Sequence, residues 1–225
     1  MTELSDTAGG QAARKRPIAR AGSIRDPEGT KATILASATR EFTEKGFGGA
    51  RIDAIATRAK INKRMLYHYF GGKEALYLAV LENAYAAIRS AEAKLDLAHR
   101  EPEDALRELV LFTFHYFLDH PEFMSLLGTE NLLQAKFLRR SDRIAEVNSP
   151  IIEELTDVLA RGAEAGLFRK DADALYVYLT MAALGFFYLS NRWTLSTVFR
   201  RDLVEAAEID RWGAHVCSVV LNSVR

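Results

Sequence analysis

The sequence predicts an all-α protein with a helix-turn-helix in its N-terminal third. Apolar residues recur at spacings of three and four along most of the chain, and no segment shows the strict alternation of a half-buried strand. Proline, glycine and capping residues divide the periodic segments into helices of ordinary length. Two of these helices are short, lie next to each other, and are separated by a tight turn.

Residues 1–25 are rich in Ala, Gly, Arg and Ser and have no apolar periodicity, so we expect a disordered basic tail. Such a tail can follow a DNA groove or simply remain solvated. A helix is expected to begin after Asp26, because Asp is a favoured cap, Pro27 suits the first helical position and Glu28 faces the positive end of the helix dipole. Gly46 is expected to end this helix.

The helix-turn-helix is predicted over residues 52–70. The apolar stripe of its first helix is Ile52, Ile55, Ala56 and Ala59. Asn62 is a favoured N-cap, so the second helix should begin at Lys63 and project its first turn outward. The residues expected to face inward are Met65, Leu66, Tyr69 and Phe70. The residues left on the exposed face are Lys63, Arg64, Tyr67 and His68.

This exposed face suits a DNA duplex. Arg64 can bind a guanine edge through two hydrogen bonds, Tyr67 can bond a phosphate through its hydroxyl, and Lys63 and His68 can donate to phosphates or bases. The alternative is a solvated helix start, as exposed charged residues usually are. The agreement of cap, turn and apolar stripe favours the DNA-binding interpretation.

Four short motifs fall in the order and spacing of the tetracycline repressor (TetR) family. They are Gly46-Phe47, Ile55-Ala56, Tyr67-His68-Tyr69-Phe70 and Lys73-Glu74-Ala75-Leu76. The chain resembles that family over roughly residues 26–80. The resemblance implies a three-helix headpiece, a larger helical C-terminal effector and dimerisation domain, and a homodimer. We therefore divide the chain into a tail (1–25), a DNA-binding domain (26–72) and a ligand-binding and dimerisation domain (73–225).

The chain departs from the family pattern at three places. Ala50 replaces the usual Thr that caps the first helix of the motif, so Arg51 is expected to supply a substitute DNA contact. Lys60 replaces a turn glycine and must adopt a left-handed or bridge conformation if the turn is unchanged. Gly72 replaces a Ser before Lys73, whose position at a helix N-terminus favours a phosphate.

The C-terminal part is expected to contain six helices. The first runs from Lys73 to about residue 97 and connects the headpiece to the remainder of the chain. Others should start near the three prolines Pro102, Pro121 and Pro150, with Ser149 as the cap at the third and Gly166 at its end. Asp171 is expected to cap a helix that ends near Trp193, and a last helix should span about 201–223.

The last two helices have more apolar surface than one domain covers easily. By resemblance, residues 173–193 and 201–223 would pair with their symmetry mates in a homodimer. The alternative is that they are simply the core of the domain.

A small-molecule effector is expected among aromatic and sulfur-containing side chains with a few embedded polar groups. The candidate pocket residues are Phe112, His115, Asn131, Gln134, Met181, Tyr188 and Asn191. His115, Asp119, His120 and Glu122 could in principle bind a metal ion, but ordinary hydrogen bonds and ion pairs fit this spacing better. No metal and no cofactor is expected.

Composition limits the other functions. Residues 1–75 hold 14 Lys and Arg against 8 Asp and Glu, a net charge of +6, and the remaining residues carry −6. The positive part suits a polyanion. No Gly-rich phosphate loop, Gly-x-Ser-x-Gly or His-Glu-x-x-His motif occurs, and Cys217 falls in an apolar helix, so an enzyme is not expected. A single cysteine and the absence of a signal or membrane segment indicate the cytoplasm.

The sequence thus predicts a ligand-responsive homodimeric DNA-binding regulator, most simply a repressor released from a palindromic operator. One alternative is a DNA-binding protein that responds to no ligand. The other is a small-molecule-binding module or enzyme with a vestigial headpiece.

Overall fold

The computed structural model describes residues 26–225, apart from the side chains of residues 145 and 147–149. The predicted tail, with Arg14, Lys15, Arg16, Arg20 and Arg25, lies outside the described residues. Within the described part the protein is all-α, as predicted, without a strand. Its helices are α1 (Pro27–Gly49), α2 (Ile52–Arg58), α3 (Lys63–Phe70), α4 (Lys73–Glu92), α5 (Pro102–Asp119), α6 (Pro121–Leu132), α7 (Asp142–Glu164), α8 (Ala174–Phe199) and α9 (Ala206–Val224).

The start of the chain follows local capping rules. Oδ1 of Asp26 accepts hydrogen bonds from the backbone N–H groups of Glu28 and Gly29 at 3.1 and 3.0 Å, which confirms the predicted cap. Gly46 has a φ of +62° and breaks the helical geometry within α1, near the predicted end. Ala50 is buried, and the N-cap residue of α2 is its neighbour Arg51, whose side chain makes no capping hydrogen bond.

The turn between α2 and α3 also has the predicted form. Lys60 adopts a left-handed φ of +53°, and the Ile61 N–H donates to the Ala56 carbonyl at 3.0 Å. Oδ1 of Asn62 accepts from the Arg64 N–H at 2.9 Å, which confirms Asn62 as the cap of α3. The apolar stripe of α2 is buried, as is Leu66 of α3.

Several predicted helix boundaries in the C-terminal part were wrong. α4 ends at Glu92 rather than near residue 97, because Asp96 adopts a left-handed φ of +52° between two short 3-10 turns. α7 begins at Asp142 rather than at Pro150, with Ser141 as its cap. Ile144 lies in a hydrophobic core, and this tertiary packing supports two helical turns before the proline.

The last two helices are also displaced from their predicted bounds. Asp173, not Asp171, caps α8 by accepting from the N–H groups of Leu175 and Tyr176, while Asp171 pairs with Arg169. α8 continues beyond Trp193 to Phe199, and α9 begins at Ala206 rather than near residue 201.

One hydrophobic core joins the headpiece to the rest of the molecule, and we call it the headpiece core. It contains buried residues of α1–α3 together with the first turns of α4, Leu126, Phe137 and Ile144. The rings of Phe47, Tyr77 and Phe137 meet at its centre, with centroids 4.5 to 5.1 Å apart. The segment between α6 and α7 therefore inserts a side chain into the core that supports α2 and α3. The remaining helices pack around separate cores, and we call this part the helical body.

Candidate nucleic-acid interface

The second helix of the helix-turn-helix presents the predicted basic face to solvent. The side chains of Lys63, Arg64, Tyr67 and His68 are exposed. Leu66 is fully buried, and Met65, Tyr69 and Phe70 lie partly buried against the headpiece core. Because α3 rests on this packed core, its first turn is held in a fixed direction. The helix has the dimensions and the outward side chains that fit a major groove.

The two cations at the start of α3 differ in their surroundings. Nζ of Lys63 lies 2.7 Å from Oδ1 of Asp53 on α2, and this hydrogen bond raises the pKa of Lys63. The guanidinium of Arg64 forms no ion pair with any residue in the described part of the chain. Arg64 is therefore ready to contact an external acceptor, whereas Lys63 must exchange a carboxylate partner for a phosphate.

Sequence reasoning missed Asp53, because its contact with Lys63 depends on how α2 crosses α3. The variant Asp53→Asn should release Lys63 and remove a negative charge beside the basic face. We expect tighter binding to any duplex and a slope of log K against log salt that is steeper by about 0.9 per subunit, the value for one added phosphate contact. Fluorescence anisotropy with a random-sequence duplex across a salt series measures both quantities. The double variant D53N/K63Q should lose the gain, and an unchanged slope in D53N would contradict the assignment.

Arg51 lies at the start of α2, on the exposed surface of the headpiece. Its side chain makes no capping bond, but its backbone N–H donates to Oε1 of the buried Glu41 at 3.2 Å. The other oxygen of Glu41 lies 3.6 Å from Nη2 of Arg58. The carboxylate of Glu41 thus stabilises the start of α2 from α1, in a position where a capping side chain is missing. Sequence reasoning did not anticipate this contact, which joins residues ten apart.

Lys73 lies at the start of α4, with its Nζ 4.8 Å from the ring centroid of Phe47. The next residue, Glu74, accepts from Nη1 of Arg140 at 2.8 Å and lies 3.7 Å from Nζ of Lys136. The hydrogen bond from Arg140 lowers the pKa of Glu74. Cations of the segment between α6 and α7 therefore neutralise the one acid in the first turn of α4. The positive end of α4 remains available for a phosphate.

The structure does not bring the seven predicted pocket residues together. Met181 and Tyr188 are buried in two different hydrophobic cores, and Phe112 is partly buried between them. His115 is exposed on the outer face of α5. The polar residues Asn131, Gln134 and Asn191 lie at or near the surface.

The polar residues of that set either form hydrogen bonds within their own helix or face solvent. Nδ2 of Asn131 donates to the Leu127 carbonyl, and Nδ2 of Asn191 donates to the Phe187 carbonyl, each four residues earlier in its helix. A helical side chain that bonds its own preceding turn is directed along the helix surface and away from a cavity. The expectation of a pocket assembled from all seven residues is therefore corrected.

Several cavities lie elsewhere in the described helical body, and two of them are relevant to ligand binding. One, of about 480 Å³, lies between the C-terminal part of α8 and α9, over the stacked rings of Tyr188 and Trp212. The other, of about 280 Å³, lies between the end of α4 and α7 and is lined by Arg89, Glu92 and Glu154 among others. Of the seven predicted residues, only Tyr188 lines either cavity.

The residues considered for metal binding or thiol reactivity make ordinary side-chain contacts. Within residues 26–225 no group of three or more His, Cys, Asp and Glu side chains could hold a metal ion. Nδ1 of His120 lies 2.8 Å from Oε1 of Glu122, a pairing consistent with the ion-pair alternative. Cys217 is buried, and burial raises the pKa of its thiol although Nη1 of Arg107 lies 3.7 Å away. The thiol is therefore held in its protonated, unreactive form.

The chain is similar to known regulatory proteins over most of its length. Residues 34–80 match the model for bacterial regulatory proteins of the tetR family, and residues 102–220 match the tetracyclin repressor-like C-terminal domain. The HTH-type transcriptional repressor NicS of Pseudomonas putida is 41% identical over 196 residues, which cover 87% of this chain and 92% of NicS. The HTH-type transcriptional regulator RutR of Escherichia coli is 31% identical over 136 residues, 60% of this chain and 63% of RutR.

Solved structures share the fold at lower identity. A transcriptional regulator from Streptomyces coelicolor, SCO4942, superposes with a TM-score of 0.64 at 23% identity, over 87% of this chain and 98% of that one. The ketosteroid transcriptional regulator KstR2 of Mycobacterium tuberculosis superposes with a TM-score of 0.63 at 22% identity, over 86% and 94% of the two chains. The likeness to both structures is one of overall fold.

Proposed function

The chain belongs to the tetracycline repressor family of bacterial regulatory proteins, and from this premise we propose that it is a homodimeric repressor which a small molecule releases from a palindromic operator. In this proposal residues 26–72 bind DNA and residues 73–225 bind the ligand and form the dimer. The partner of the headpiece is duplex DNA, and the protein acts in the cytoplasm. The chain is a regulator rather than an enzyme.

One observation carries the proposal: α3 presents Arg64 to solvent without an intramolecular ion-pair partner in the described chain, on a helix fixed by the headpiece core. The proposed DNA contacts are Arg51, Lys63, Arg64, Tyr67, His68 and Lys73. In a dimer with two-fold symmetry the two copies of α3 would enter major grooves about 34 Å apart, or at a multiple of that distance. The operator should accordingly be a palindrome.

The exposed face of α8 supports the proposed dimer. Tyr176, Leu179, Ala183 and Phe187 follow one another at helical spacing on its outer side, and all are exposed. By length and hydropathy α8 is the one helix in the described chain that could span a membrane, but its opposite side packs into the cores of the helical body. A contiguous apolar stripe on a packed helix is typical of a protein interface. We propose that α8 and α9 pair with their symmetry mates in a four-helix contact.

The variant Leu179→Arg should disrupt this interface. Leu179 is 50% exposed in the single chain, and an unpaired charge buried against a partner copy is strongly destabilising. We expect sedimentation velocity to show a shift from dimer to monomer and operator affinity to fall with it. The matched control is Leu132→Arg on α6, where Leu132 is 87% exposed and lies outside the proposed interface. A dimer that survives L179R with full operator affinity would place the interface elsewhere.

The helix α4 is the proposed connection between ligand and DNA. It carries Lys73 at the headpiece and ends at Glu92 in the helical body, about 30 Å away at 1.5 Å per residue. A ligand that binds one orientation of α4 more tightly shifts the population toward it, and the spacing of the two headpieces changes as a result. DNA and ligand then oppose each other through a single coupling free energy.

Two measurements test the proposed function against its alternatives. Salt-dependent gel shifts with genomic fragments that the full chain retains distinguish a working headpiece from a vestigial one. Titration of small molecules into the preformed complex distinguishes a ligand-responsive regulator from a ligand-independent DNA-binding protein. The proposal expects ligands that stabilise the free protein also to release the DNA. Stabilisers that never change DNA affinity would contradict the coupling.

A further inference from the structure

A buried ion pair lines the cavity of about 280 Å³ in the helical body. The last turn of α4 supplies Arg89 and Glu92, whose side chains are 9% and 2% exposed. Pro150, Ile151 and Glu154 of α7 form the opposite wall. Glu154 forms no ion pair with any residue of the described chain. The cavity therefore contains two carboxylates and one guanidinium within largely apolar surroundings.

The hydrogen-bonding capacity of this pair is only partly used. Nη2 of Arg89 donates to the Tyr178 hydroxyl at 2.7 Å. Nη1 lies 2.7 Å from Oε2 of Glu92, but it is not aligned for a hydrogen bond. Within the described residues, Nε and Nη1 of Arg89 donate no hydrogen bond and neither oxygen of Glu92 accepts one. Burying a polar atom without a hydrogen-bond partner costs folding free energy. A ligand group that supplies the missing hydrogen bond recovers part of that cost as binding free energy.

The arrangement defines the chemistry of a matching ligand. Arg89 offers donors and therefore needs an acceptor, while the adjacent Glu92 offers acceptors and needs a donor. An anion would satisfy Arg89 but would face the carboxylates of Glu92 and Glu154. A cation would be attracted by the carboxylates of Glu92 and Glu154, but it would leave the donors of Arg89 unused and would be repelled by the adjacent guanidinium.

Burial also disfavours net charge in this cavity. Desolvation raises the pKa of Glu92 to about 7, and it raises the pKa of Glu154 as well. A ligand that brings no charge avoids further desolvation of a charged group. The volume accommodates a single ring with one polar edge.

We propose that the cavity at Arg89 and Glu92 binds a small uncharged ligand in which a carbonyl lies next to an N–H, as in an amide or a lactam. The carbonyl oxygen accepts from Arg89, and the N–H donates to Glu92. As the effector site this proposal rests on the proposed function. The location suits that role because the cavity lies between the end of α4 and α7, so a ligand there contacts both helices. Arg89 also donates to Tyr178 of α8, which links the site to a third helix.

Three probes of nearly identical shape and different charge test the ligand class: benzamide, benzoate and benzamidinium. We expect isothermal titration calorimetry with the full chain to show that benzamide binds at least about tenfold more tightly than either charged probe, the factor that corresponds to one hydrogen bond of about 1.4 kcal/mol. A charged probe that binds as tightly as benzamide would overturn the ligand class. Failure of all three to bind below about 10 mM would overturn the site.

Two variants connect the binding to the named residues. Glu92→Gln removes a negative charge and should move the preference toward benzoate, and Arg89→Met should abolish benzamide binding. Glu153→Gln is the matched control, because Glu153 is the exposed neighbour of Glu154 on α7. Far-ultraviolet circular dichroism checks that each variant folds. If Arg89→Met does not fold, the test rests on whether Glu92→Gln shifts the relative affinity for benzamide and benzoate. An unchanged preference in Glu92→Gln would overturn the assignment.

The same proteins separate this inference from the proposed function. Benzamide binding that requires Arg89 and Glu92 but leaves operator affinity unchanged would keep the ligand class and refute its role as effector site. If ligands release the DNA and bind wild type and Glu92→Gln with equal affinity, the proposed repressor function stands and this site is refuted.

Discussion

Replacing Arg64 by Ala should weaken operator binding by about 1–3 kcal/mol per half-site, and by about twice that for the dimer, since the two half-sites are distant and additive. Arg64 is the cation of α3 that forms no ion pair in the described chain, so its removal exposes no unpaired carboxylate in the headpiece. The loss should be largest for the cognate sequence and should relax the preference at one base position. Competition binding against operators altered at single positions measures both effects.

Lys73→Ala is the matched control for that variant. Lys73 lies beside Phe47 at the start of α4, outside the recognition helix α3, so we expect it to contact the DNA backbone rather than a base. Its removal should weaken all sequences alike and reduce the salt slope by about one unit per subunit. Equal losses on cognate and random DNA from both variants would show that Arg64 is not a base-reading residue.

Phe137→Ala should lower the free energy of unfolding by about 3–5 kcal/mol, because a buried aromatic ring leaves a cavity that the surroundings refill only in part. The side chain is 1% exposed and its ring centroid lies 4.5 Å from that of Phe47 and 5.1 Å from that of Tyr77. Its backbone is also fixed, since Oε2 of the buried Glu130 accepts from the N–H groups of Phe137 and Leu138. Urea unfolding followed by circular dichroism measures the change.

The same variant should loosen the headpiece from the helical body, because Phe137 belongs to the segment between α6 and α7 that enters the headpiece core. Ligand binding should then affect DNA affinity less than it does in the wild type. Leu132→Ala serves as the control, and surface changes of this kind usually alter stability by less than about 0.5 kcal/mol. A Phe137→Ala protein as stable as that control would show that the aromatic contact contributes little.

Local rules explain which parts of the fold could be predicted from the sequence. Asp26 and Asn62 cap their helices through bonds to residues two or three positions away, and Lys60 takes the left-handed conformation that the turn demands. These contacts depend only on neighbouring residues. The start of α7 depends instead on Ile144, which packs against side chains distant in sequence, and a proline within the helix was outweighed by that packing.

The same distinction applies to the sites. The exposed face of α3 follows from helical periodicity and was predicted residue by residue, and the assignment of those residues to DNA stays a prediction. The contact of Lys63 with Asp53 depends on a helix crossing that periodicity does not determine. Arg89 and Glu92 resemble an ordinary surface pair three residues apart, and they are buried only because other helices of the body cover them. A high density of aromatic residues in the sequence indicates the hydrophobic core, and it does not distinguish core positions from those that line a cavity.

Selection of duplexes from a random library by the full-length protein tests whether α3 reads DNA sequence as part of a two-fold dimer. We expect enrichment of a palindrome whose half-site centres lie about 34 Å apart or at a multiple of that distance, with affinity that falls steeply as salt rises. The Arg64→Ala protein should lose one position of the enriched sequence. Enrichment of no palindrome, or of the same palindrome by wild type and Arg64→Ala, would show that α3 and Arg64 do not have these roles.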